Sequence, residues 1–280
     1  MKKFRKIWLL FVAFMTAIFI LYWGLQMIKT DSSGPVISGG GDRIEVSIHD
    51  GEEVLLKGIT ASDKKDGDVT DSLLVESIST FYDDTRVVTC VAFDSDNHIS
   101  KVQREIVYTD YTSPRFALNG SLRFRAGEKI NIDTIVSAMD CLDGDLSRKI
   151  KVNTDAAINN RVTGLYTITY EVSNSAGDQV RLPIDIEIYE PYNNEVQLEL
   201  SKYLVYYEGR EINYKNFLKS VTKGNLEYSF SADPSRKDLV RVDAQVNTQK
   251  PGVYPVYYYY TETYSNYTSE AKEVLYVVVE

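Results

Sequence analysis

The chain is poor in the residues on which most enzyme and metal chemistry depends. Its 280 residues include only 2 histidines, 2 cysteines and 2 tryptophans. Histidine is the usual proton carrier near neutral pH, and zinc sites are built from closely spaced cysteine and histidine. His49 and His98 have no cysteine or histidine partner at metal-ligand spacing. The sequence therefore argues against histidine-based catalysis and against zinc binding.

Basic residues are also scarce outside the N-terminus. The formal net charge is −9, and Lys2, Lys3, Arg5 and Lys6 contribute +4, which leaves −13 for the residues after position 28. An acidic surface without a basic stripe repels the phosphate backbone of nucleic acids. We therefore expect no nucleic-acid partner.

A long apolar run occurs once, from Trp8 to Ile28, and it carries no charge. As a helix it is roughly 30 Å long, the thickness of a bilayer core, and basic residues before it favour a cytoplasmic N-terminus. We predict a cytoplasmic basic tail at 1–6 and a single-pass transmembrane signal anchor at 7–28, in contact with the lipid bilayer of the cell membrane, with all later residues extracellular. A cleaved signal peptide is the alternative, but the run exceeds a typical signal core and no A-x-A site follows it.

The rest of the chain repeats itself after a Gly- and Ser-rich segment, residues 29–42, which predicts a flexible linker. Each repeat begins with a glycine motif and contains an alternating segment further on. The glycine motifs are DGEEVLL, AGEKINI and EGREINY, and the alternating segments are TRVVTCVAF, GLYTITYEV and GVYPVYYYY. The motif glycines Gly51, Gly127 and Gly209 are 76 and 82 residues apart, which predicts three modules of similar size.

Alternation with a period of two predicts strands with one buried face. Two such sets are Val87, Thr89, Val91 and Phe93 in the first module, and Tyr166, Ile168, Tyr170 and Val172 in the second. The sequence therefore predicts an all-β protein of tandem antiparallel β-sandwiches after one N-terminal transmembrane helix. We place the modules at 43–113, 114–191 and 192–280, the third divergent and rich in tyrosine. Their short joints favour an extended string of domains.

A D-x-x-D-G-D frame occurs twice, as DKKDGD at 63–68 and DCLDGD at 140–145, and we call these segments the acidic turns. Carboxylates on a glycine-kinked loop are hard oxygen ligands that suit calcium, although the EF-hand frame is missing. The candidate calcium ligands are Asp63, Asp66, Asp68, Asp140, Asp143 and Asp145. The later turns at 94–97 and 173–178 are candidates for further oxygens.

The interpretation that we favour for the acidic turns is architectural. Aspartates accept hydrogen bonds from backbone amides in turns, and glycine supplies a positive φ. A third alternative is a pair of glycosidase carboxylates, which requires an acid and a base across a substrate cleft. Duplication of the same cluster in two successive small modules argues against that alternative.

These motifs resemble bacterial immunoglobulin-like surface modules of the type also found in an insecticidal crystal toxin and in many Gram-positive exported proteins. The resemblance rests on ASDKKDGDVTDSL, AMDCLDGDLSRKI, TGLYTITYEVSNSAGD and KPGVYPVYYYY. It is strongest in the second module and partial in the third, which has VTKGNLEYSF in place of the acidic turn. It implies Ig-like sandwiches, each with a strand at the glycine motif, and an extracellular structural or binding role without catalysis.

Tyrosine is abundant, with 21 copies against 10 phenylalanines. Tyr254, Tyr258 and Tyr260 align with the core face of the second module, so Tyr257 and Tyr259 are expected to face outward. Tyr264 and Tyr267 follow in the next turn. An exposed tyrosine patch can stack on sugar rings or bind a protein partner. The candidate ligand-binding residues are Tyr257, Tyr259, Tyr264 and Tyr267.

The combined expectation is a non-catalytic, membrane-anchored cell-surface protein. Its modules are expected to act as a stalk and as adhesion or ligand-binding units that contact cell-wall glycan or a surface protein. One alternative is an accessory subunit of a membrane or envelope assembly. A wall-active enzyme is the remaining alternative, and the missing His, Cys and Glu constellations argue against it.

Overall fold

The computed structural model describes residues 2–29, 33–82, 84–154, 157–191 and 195–280. Residues 30–32 of the predicted linker and 192–194 at the predicted start of the third module lie outside the described residues. Helix α1 spans Lys2–Lys29. Its segment Phe4–Gly24 has a mean hydropathy of 2.2 over 21 residues, which is long and apolar enough to cross a membrane. A signal sequence has the same length and composition.

The remainder is built from β-sandwiches, which confirms the predicted all-β fold. The chain divides into two compact units, 1–111 and 112–280. The first unit contains one sandwich with a three-stranded sheet, β1-β3-β4, and a four-stranded sheet, β2-β7-β6-β5. Its strands are β1 Val36–Ser38, β2 Ile44–Val46, β3 Thr60–Asp63, β4 Gly67–Asp68, β5 Leu74–Ile78, β6 Arg86–Phe93 and β7 Ile99–Tyr108. Helix α2, Glu52–Leu56, places Leu55 in the core.

The second unit contains two further sandwiches of the same design. The second sandwich has sheets β11-β10-β8 and β12-β13-β14-β9. Its strands are β8 Arg115–Leu118, β9 Arg123–Arg125, β10 Val136–Asp140, β11 Gly144–Asp145, β12 Lys151–Thr154, β13 Gly164–Ser173 and β14 Gln179–Tyr189. A short helix α3, Ile132–Ile135, precedes β10.

The third sandwich has sheets β15-β17-β18 and β16-β21-β20-β19. Its strands are β15 Gln197–Leu200, β16 Leu204–Tyr206, β17 Leu218–Lys223, β18 Leu226–Ser229, β19 Val240–Ala244, β20 Gly252–Thr263 and β21 Thr268–Val279. In all three sandwiches the second strand runs parallel to the last strand, and the other strand pairs are antiparallel. The repeated topology explains the repeat in the sequence.

The glycine motifs do not form the strands that the resemblance implied. Residues after Gly51 form α2, those after Gly127 lead into α3, and Tyr214–Phe217 forms a 3₁₀ turn after Gly209. The two glutamates that open α2 lie in its first turn, where the helix dipole favours negative charge. These segments connect the two sheets rather than extend them.

The face predicted to be buried in β6 is wrong by one residue. Val88, Cys90 and Ala92 are fully buried, whereas Phe93 is exposed. Both faces of this strand are apolar, so the alternation alone does not select one. A shift of one residue exchanges the two faces of a strand. The alignment of TRVVTCVAF with GLYTITYEV was wrong by one residue, so it assigned the outer face of β6 to the core.

The segment 29–42, predicted to be a linker, contributes β1 to the first sandwich. Val36–Ser38 pairs antiparallel with β3. β-Branched residues favour a strand here. Gly39 follows with φ +86°, and a Cβ at Gly39 would lie 2.3 Å from the carbonyl oxygen of Gly58. Gly39, one of the glycines that suggested a flexible spacer, therefore allows two backbone segments to pack closely together.

The second and third sandwiches pack on each other and do not form the extended string that their short joint favoured. Leu204, Val274 and Tyr276 of the third sandwich belong to the core cluster of the second. Tyr276 Oη accepts a hydrogen bond from Asp185 N and donates one to Asp185 O, both at 3.0 Å. The apolar outer face of β21 explains this packing, because burial of that face removes it from water.

Candidate functional site

The acidic turn of the second sandwich is closed by its own aspartates. Asp140 Oδ2 accepts hydrogen bonds from Leu142 N and Asp143 N, both at 2.8 Å. Its other oxygen accepts one from Asn174 Nδ2 at 3.0 Å. Gly144 has φ +71°, a conformation that other residues adopt at a cost. The buried Asp140 carboxylate is therefore fully engaged.

The acidic turn of the first sandwich has the same backbone bonds but one unpaired oxygen. Asp63 Oδ1 accepts from Lys65 N at 2.8 Å and from Asp66 N at 2.9 Å. Asp63 Oδ2 is buried and accepts no hydrogen bond from any residue that the structure describes. Asp94 stands where the second sandwich has Asn174, because each caps the amides two and four residues later. A carboxylate there supplies no amide donor.

Each acidic turn is held to the later turn of its own sandwich. Asp66 accepts hydrogen bonds from Ser95 N and Ser95 Oγ, both at 2.9 Å. Asp143 accepts the equivalent bonds from Ser175 at 2.8 and 2.6 Å, and these hold the pKa of Asp143 below its usual range. The segments 94–97 and 173–178 therefore do lie beside the acidic turns. Their contacts with Asp66 and Asp143 are hydrogen bonds donated by serine amides and hydroxyls.

The remaining aspartates of the frames cap the residues that follow. Asp68 Oδ1 accepts from Thr70 N, and Asp145 Oδ1 accepts from Ser147 N, each at 2.9 Å. Among the described residues, no three His, Cys, Asp or Glu side chains gather as a metal-ligand group. Calcium binding by the six aspartates stays a prediction, and the geometry accounts for their presence as turn-forming residues.

The four candidate tyrosines form two separate pairs. Tyr257 and Tyr259 have ring centroids 6.5 Å apart, and Tyr257 packs against the core cluster of the second sandwich. Tyr264 and Tyr267 stack at 4.7 Å, are 37% and 38% exposed, and lie under the Lys223 ammonium at 4.6 and 4.2 Å. Tyr258 and Tyr260 are fully buried, which confirms the predicted core face at those two positions, whereas Tyr254, predicted on the same face, is only partly buried. Ligand binding by the four tyrosines stays a prediction.

A polar cavity of about 310 Å³ lies where the second and third sandwiches meet, and we call it the junction cleft. Its wall on the second sandwich includes Arg123, Phe124 and Tyr189. The third sandwich contributes β15 and the segment before it, with Tyr203 and the middle of β21. The cleft follows from the packing, because β16 pairs with β21 only over residues 276–278. The earlier edge of β21 has no paired strand and is met by single contacts, such as the hydrogen bond from Val196 N to Glu270 O at 3.2 Å.

Arg123 covers part of this open edge. Its Nη1 donates to the backbone oxygen of Lys272, and its Nε donates to Glu187 Oε2 at 2.9 Å. Lys272 Nζ donates to the same Glu187 oxygen at 2.8 Å. Burial alone would raise the pKa of Glu187, but the bonds from Lys272 and Arg123 outweigh it and hold that pKa below its ordinary value. The two cations of the cleft floor therefore share one carboxylate, which leaves one positive charge among the three side chains.

Glu273 lies beside this network with its side chain almost completely buried. Its Oε1 accepts hydrogen bonds from Ser121 Oγ at 3.0 Å and from Val274 N at 2.9 Å. Burial in an apolar surrounding disfavours the charged form and raises the pKa of Glu273 to about 7. The group is therefore partly protonated near neutral pH.

Three buried polar atoms of cleft-lining residues have no hydrogen bond from the described residues. Arg125 Nε is one, and the other two belong to side chains that are almost completely buried. One is Nη2 of Arg123, whose side chain is only 5% exposed. The other is Oε2 of Glu195, whose side chain is 6% exposed. That oxygen lies 3.1 Å from Arg125 Nη2, while Oε1 of the same carboxylate accepts from Tyr189 Oη at 2.5 Å. The cleft thus presents an unsatisfied donor and an unsatisfied acceptor.

The sequence alone did not reveal the junction cleft. Its residues come from β9, β14, the start of β15 and β21, which are distant in the chain. One local signal was present: Glu273 interrupts the apolar strand segment AKEVLYVVV. A charged residue at a buried strand position is unusual and marks a special environment.

Comparisons with known proteins give no family. No known protein family matches the sequence, and no characterised protein matches it either. Among solved structures, one is the Clostridium perfringens ZmpB structure of CBM51-2 in complex with GlcNAc and INT domains, at 18% identity and a TM-score of 0.22. That match covers 54% of this chain and 41% of the other chain, so this chain spans less than half of that protein's length.

Two cadherin structures are also similar. Drosophila N-cadherin EC1-4 matches at 10% identity and a TM-score of 0.23, covering 90% of this chain and 76% of the other. Mouse cadherin-23 EC22-24 matches at 12% identity and a TM-score of 0.21, covering 88% of this chain and 98% of the other. Similarities of this size carry no argument about function. The assignment of tandem β-sandwiches therefore rests on the strands of this chain itself.

Proposed function

We propose that this protein is a non-catalytic, single-pass surface protein of a bacterial cell. Its sandwiches project from the membrane and bind cell-wall glycan or another surface protein. The observation that carries the proposal is one apolar helix, Phe4–Gly24, followed by three sandwiches in succession. Basic residues before that helix support a cytoplasmic N-terminus and extracellular sandwiches.

The cleft carboxylates support binding rather than catalysis. A glycosidase acid must present its proton to the substrate. Glu273 Oε1 instead accepts hydrogen bonds from Ser121 and from its neighbour's backbone amide, so it satisfies the open edge of β21. Glu195 is held by Tyr189 and lies against Arg125. Protein groups hold both carboxylates in place, which argues against a role for either as a glycosidase acid or base.

Protease accessibility tests the proposed location. The full chain, with an epitope after Glu280, is produced in a bacterial host, and protease is added to intact cells. We expect the chain in the membrane fraction, with an intact N-terminus by mass and with the epitope lost. A protected epitope contradicts an extracellular C-terminus, and a shortened chain in the medium shows that the helix is a cleaved signal.

A sedimentation assay tests the proposed binding role. The full chain in a sugar-free zwitterionic detergent is mixed with isolated cell walls of the same host and with intact washed cells. We expect the protein to sediment with one of the two. Recovery of the protein in the supernatant in both cases contradicts a role in adhesion to the wall or to surface proteins.

A further inference from the structure

The unsatisfied atoms of the junction cleft call for a ligand with alternating donors and acceptors. Arg123 Nη2 can only donate, and Glu195 Oε2 can only accept while the carboxylate is ionised. Leaving buried polar groups unpaired costs about 1–3 kcal/mol each, which a matching ligand recovers. A hydroxyl group both donates and accepts, so neighbouring hydroxyls can satisfy the guanidinium and the carboxylate together.

The charges of the cleft disfavour an anion. Arg123 and Lys272 share Glu187, and Arg125 lies against Glu195. Glu128 and Glu199 also line the cleft, so carboxylates outnumber the one positive charge that these pairs leave. A phosphate or carboxylate ligand would lose its hydration without a free cation to replace it. The cleft therefore suits an uncharged polar ligand.

The size and walls of the cleft narrow the class further. A volume of about 310 Å³ lies at the lower end of the range of about 300–1,000 Å³ for ligand sites. Phe124, Leu198 and Tyr203 add apolar surface to the polar lining. The C–H faces of a sugar ring pack on such surfaces while its hydroxyls bond to polar groups.

We propose that the junction cleft binds one or two rings of an uncharged saccharide. Arg123 Nη2 and Glu195 Oε2 both lie beneath the cleft surface, so the two side chains turn toward the cleft on binding. Arg123 Nη2 then donates to one sugar hydroxyl, and Glu195 Oε2 accepts from a neighbouring hydroxyl. The assignment rests on the proposed function, since it names the ligand class and the site of a surface-binding protein. It moves the binding site from the exposed tyrosines of the third sandwich to the contact between the second and third.

The test uses the full chain in a sugar-free zwitterionic detergent. Binding of chitotetraose, cellotetraose, mannotetraose and galactotetraose is measured by calorimetric titration. We expect at least one tetrasaccharide to bind, and we expect Arg123→Lys and Glu195→Gln each to weaken it about tenfold, because each removes one bond to the sugar.

Matched controls separate the cleft from general effects of the substitutions. Arg181→Lys and Glu171→Gln alter an arginine–glutamate pair of the second sandwich whose members do not line the cleft; Arg181 is exposed and Glu171 is partly buried. Both variants are expected to bind as the parent does. Hydrogen exchange of amides in β21 shows whether each cleft variant keeps the junction. Glu195→Gln keeps the shape of the side chain but removes the charge that faces Arg125, so a loss of binding is assigned to the cleft only if hydrogen exchange in β21 matches the parent's.

Two results overturn the proposal. One is that none of the four tetrasaccharides binds. The other is that binding is the same in Arg123→Lys and Glu195→Gln as in the parent. The sedimentation assay distinguishes failure of the cleft assignment from failure of the proposed function. If the parent protein and the cleft variants sediment equally with walls or cells, the proposed function stands and the cleft assignment fails.

Discussion

In the acidic turn of the second sandwich, Asp140 accepts three hydrogen bonds, whereas the junction cleft keeps Arg123 Nη2 and Glu195 Oε2 buried without one from the described residues. The pKa shifts differ in the same way. Hydrogen bonds from Ser175 lower the pKa of Asp143, and burial raises that of Glu273. The acidic turn of the second sandwich is thus satisfied by its own sandwich, whereas the junction cleft has buried polar atoms without hydrogen-bond partners among the described residues. Polar groups that already have partners hold a fold, and those without partners are the ones available to a ligand.

Among substitutions in the acidic turns, Asp140→Ala is expected to reduce stability most. One buried donor, Asn174 Nδ2, and two partly buried donors, Leu142 N and Asp143 N, lose their acceptor. We expect the free energy of unfolding of the second sandwich to fall by about 4 kcal/mol. Urea unfolding of the full chain, followed by hydrogen exchange in each sandwich, measures it. Asp145→Ala removes an exposed cap and serves as the control, so an equal loss there would contradict the account.

Replacing Glu273 by glutamine tests the buried carboxyl of the junction cleft through the pH dependence of stability. The ordinary pKa of the carboxyl is 4.5 and the folded value is about 7, so the folded state binds more protons between them. Stability from this group is therefore present below about pH 4.5 and is lost as pH rises to about 7, by about 3 kcal/mol in total.

The glutamine variant keeps an acceptor for Ser121 and removes the charge. We expect the stability difference between the variant and the parent to grow in favour of the variant from pH 5 to pH 8, by urea unfolding at each pH. Glu270→Gln, at an exposed position of the same strand, is the control. A difference that stays constant with pH would show that Glu273 is not buried as an acid.

Exchanging the residues at 94 and 174 tests the difference between the two acidic turns. Asn174→Asp removes a donor and places a second carboxylate about 3 Å from Asp140 Oδ1, so we expect the second sandwich to lose about 2 kcal/mol. Asp94→Asn supplies the amide that the first turn lacks but also replaces the oxygen that lies 2.8 Å from His98 Nδ1. We therefore make it in a His98→Ala background and expect a higher melting temperature of the first sandwich there. Differential scanning calorimetry at pH 7 measures both, and a change of the opposite sign in either variant would refute the proposed equivalence.

Calcium is expected to have the smallest effect. Thermal melts of the full chain in millimolar calcium and in EDTA should coincide, because the carboxylates of both acidic turns already accept hydrogen bonds. A ligand that binds only the folded state would raise stability by about 2.7 kcal/mol at a hundredfold excess over Kd. A raised melt that Asp66→Asn and Asp143→Asn abolish would instead establish the turns as metal sites.

The fold was largely predictable because strand alternation and turn residues are local properties. The strand segments GLYTITYEV and GVYPVYYYY form β13 and β20 with the expected core faces. Errors arose where both faces of a strand are apolar, as in β6, and where glycine serves close packing, as at Gly39. In both places a tertiary contact decides what a local pattern leaves open.

The junction cleft could not be predicted from the sequence. It depends on the packing of the second sandwich against β21, and a pattern of period two shows that a strand has an outer face without showing what covers it. Arg123 and Glu195 are ordinary charged residues in the sequence. They become unusual only because the packing buries them.

Affinity for an uncharged tetrasaccharide, compared between Arg123→Lys and Asp143→Asn, tests the central claim most directly. The full chain and the two variants are titrated side by side, below the melting temperature of the less stable one. We predict that Arg123→Lys binds about tenfold more weakly and that Asp143→Asn binds as the parent does. Unchanged binding by Arg123→Lys, or a loss confined to Asp143→Asn, would contradict the account and return the acidic turns to the centre of function.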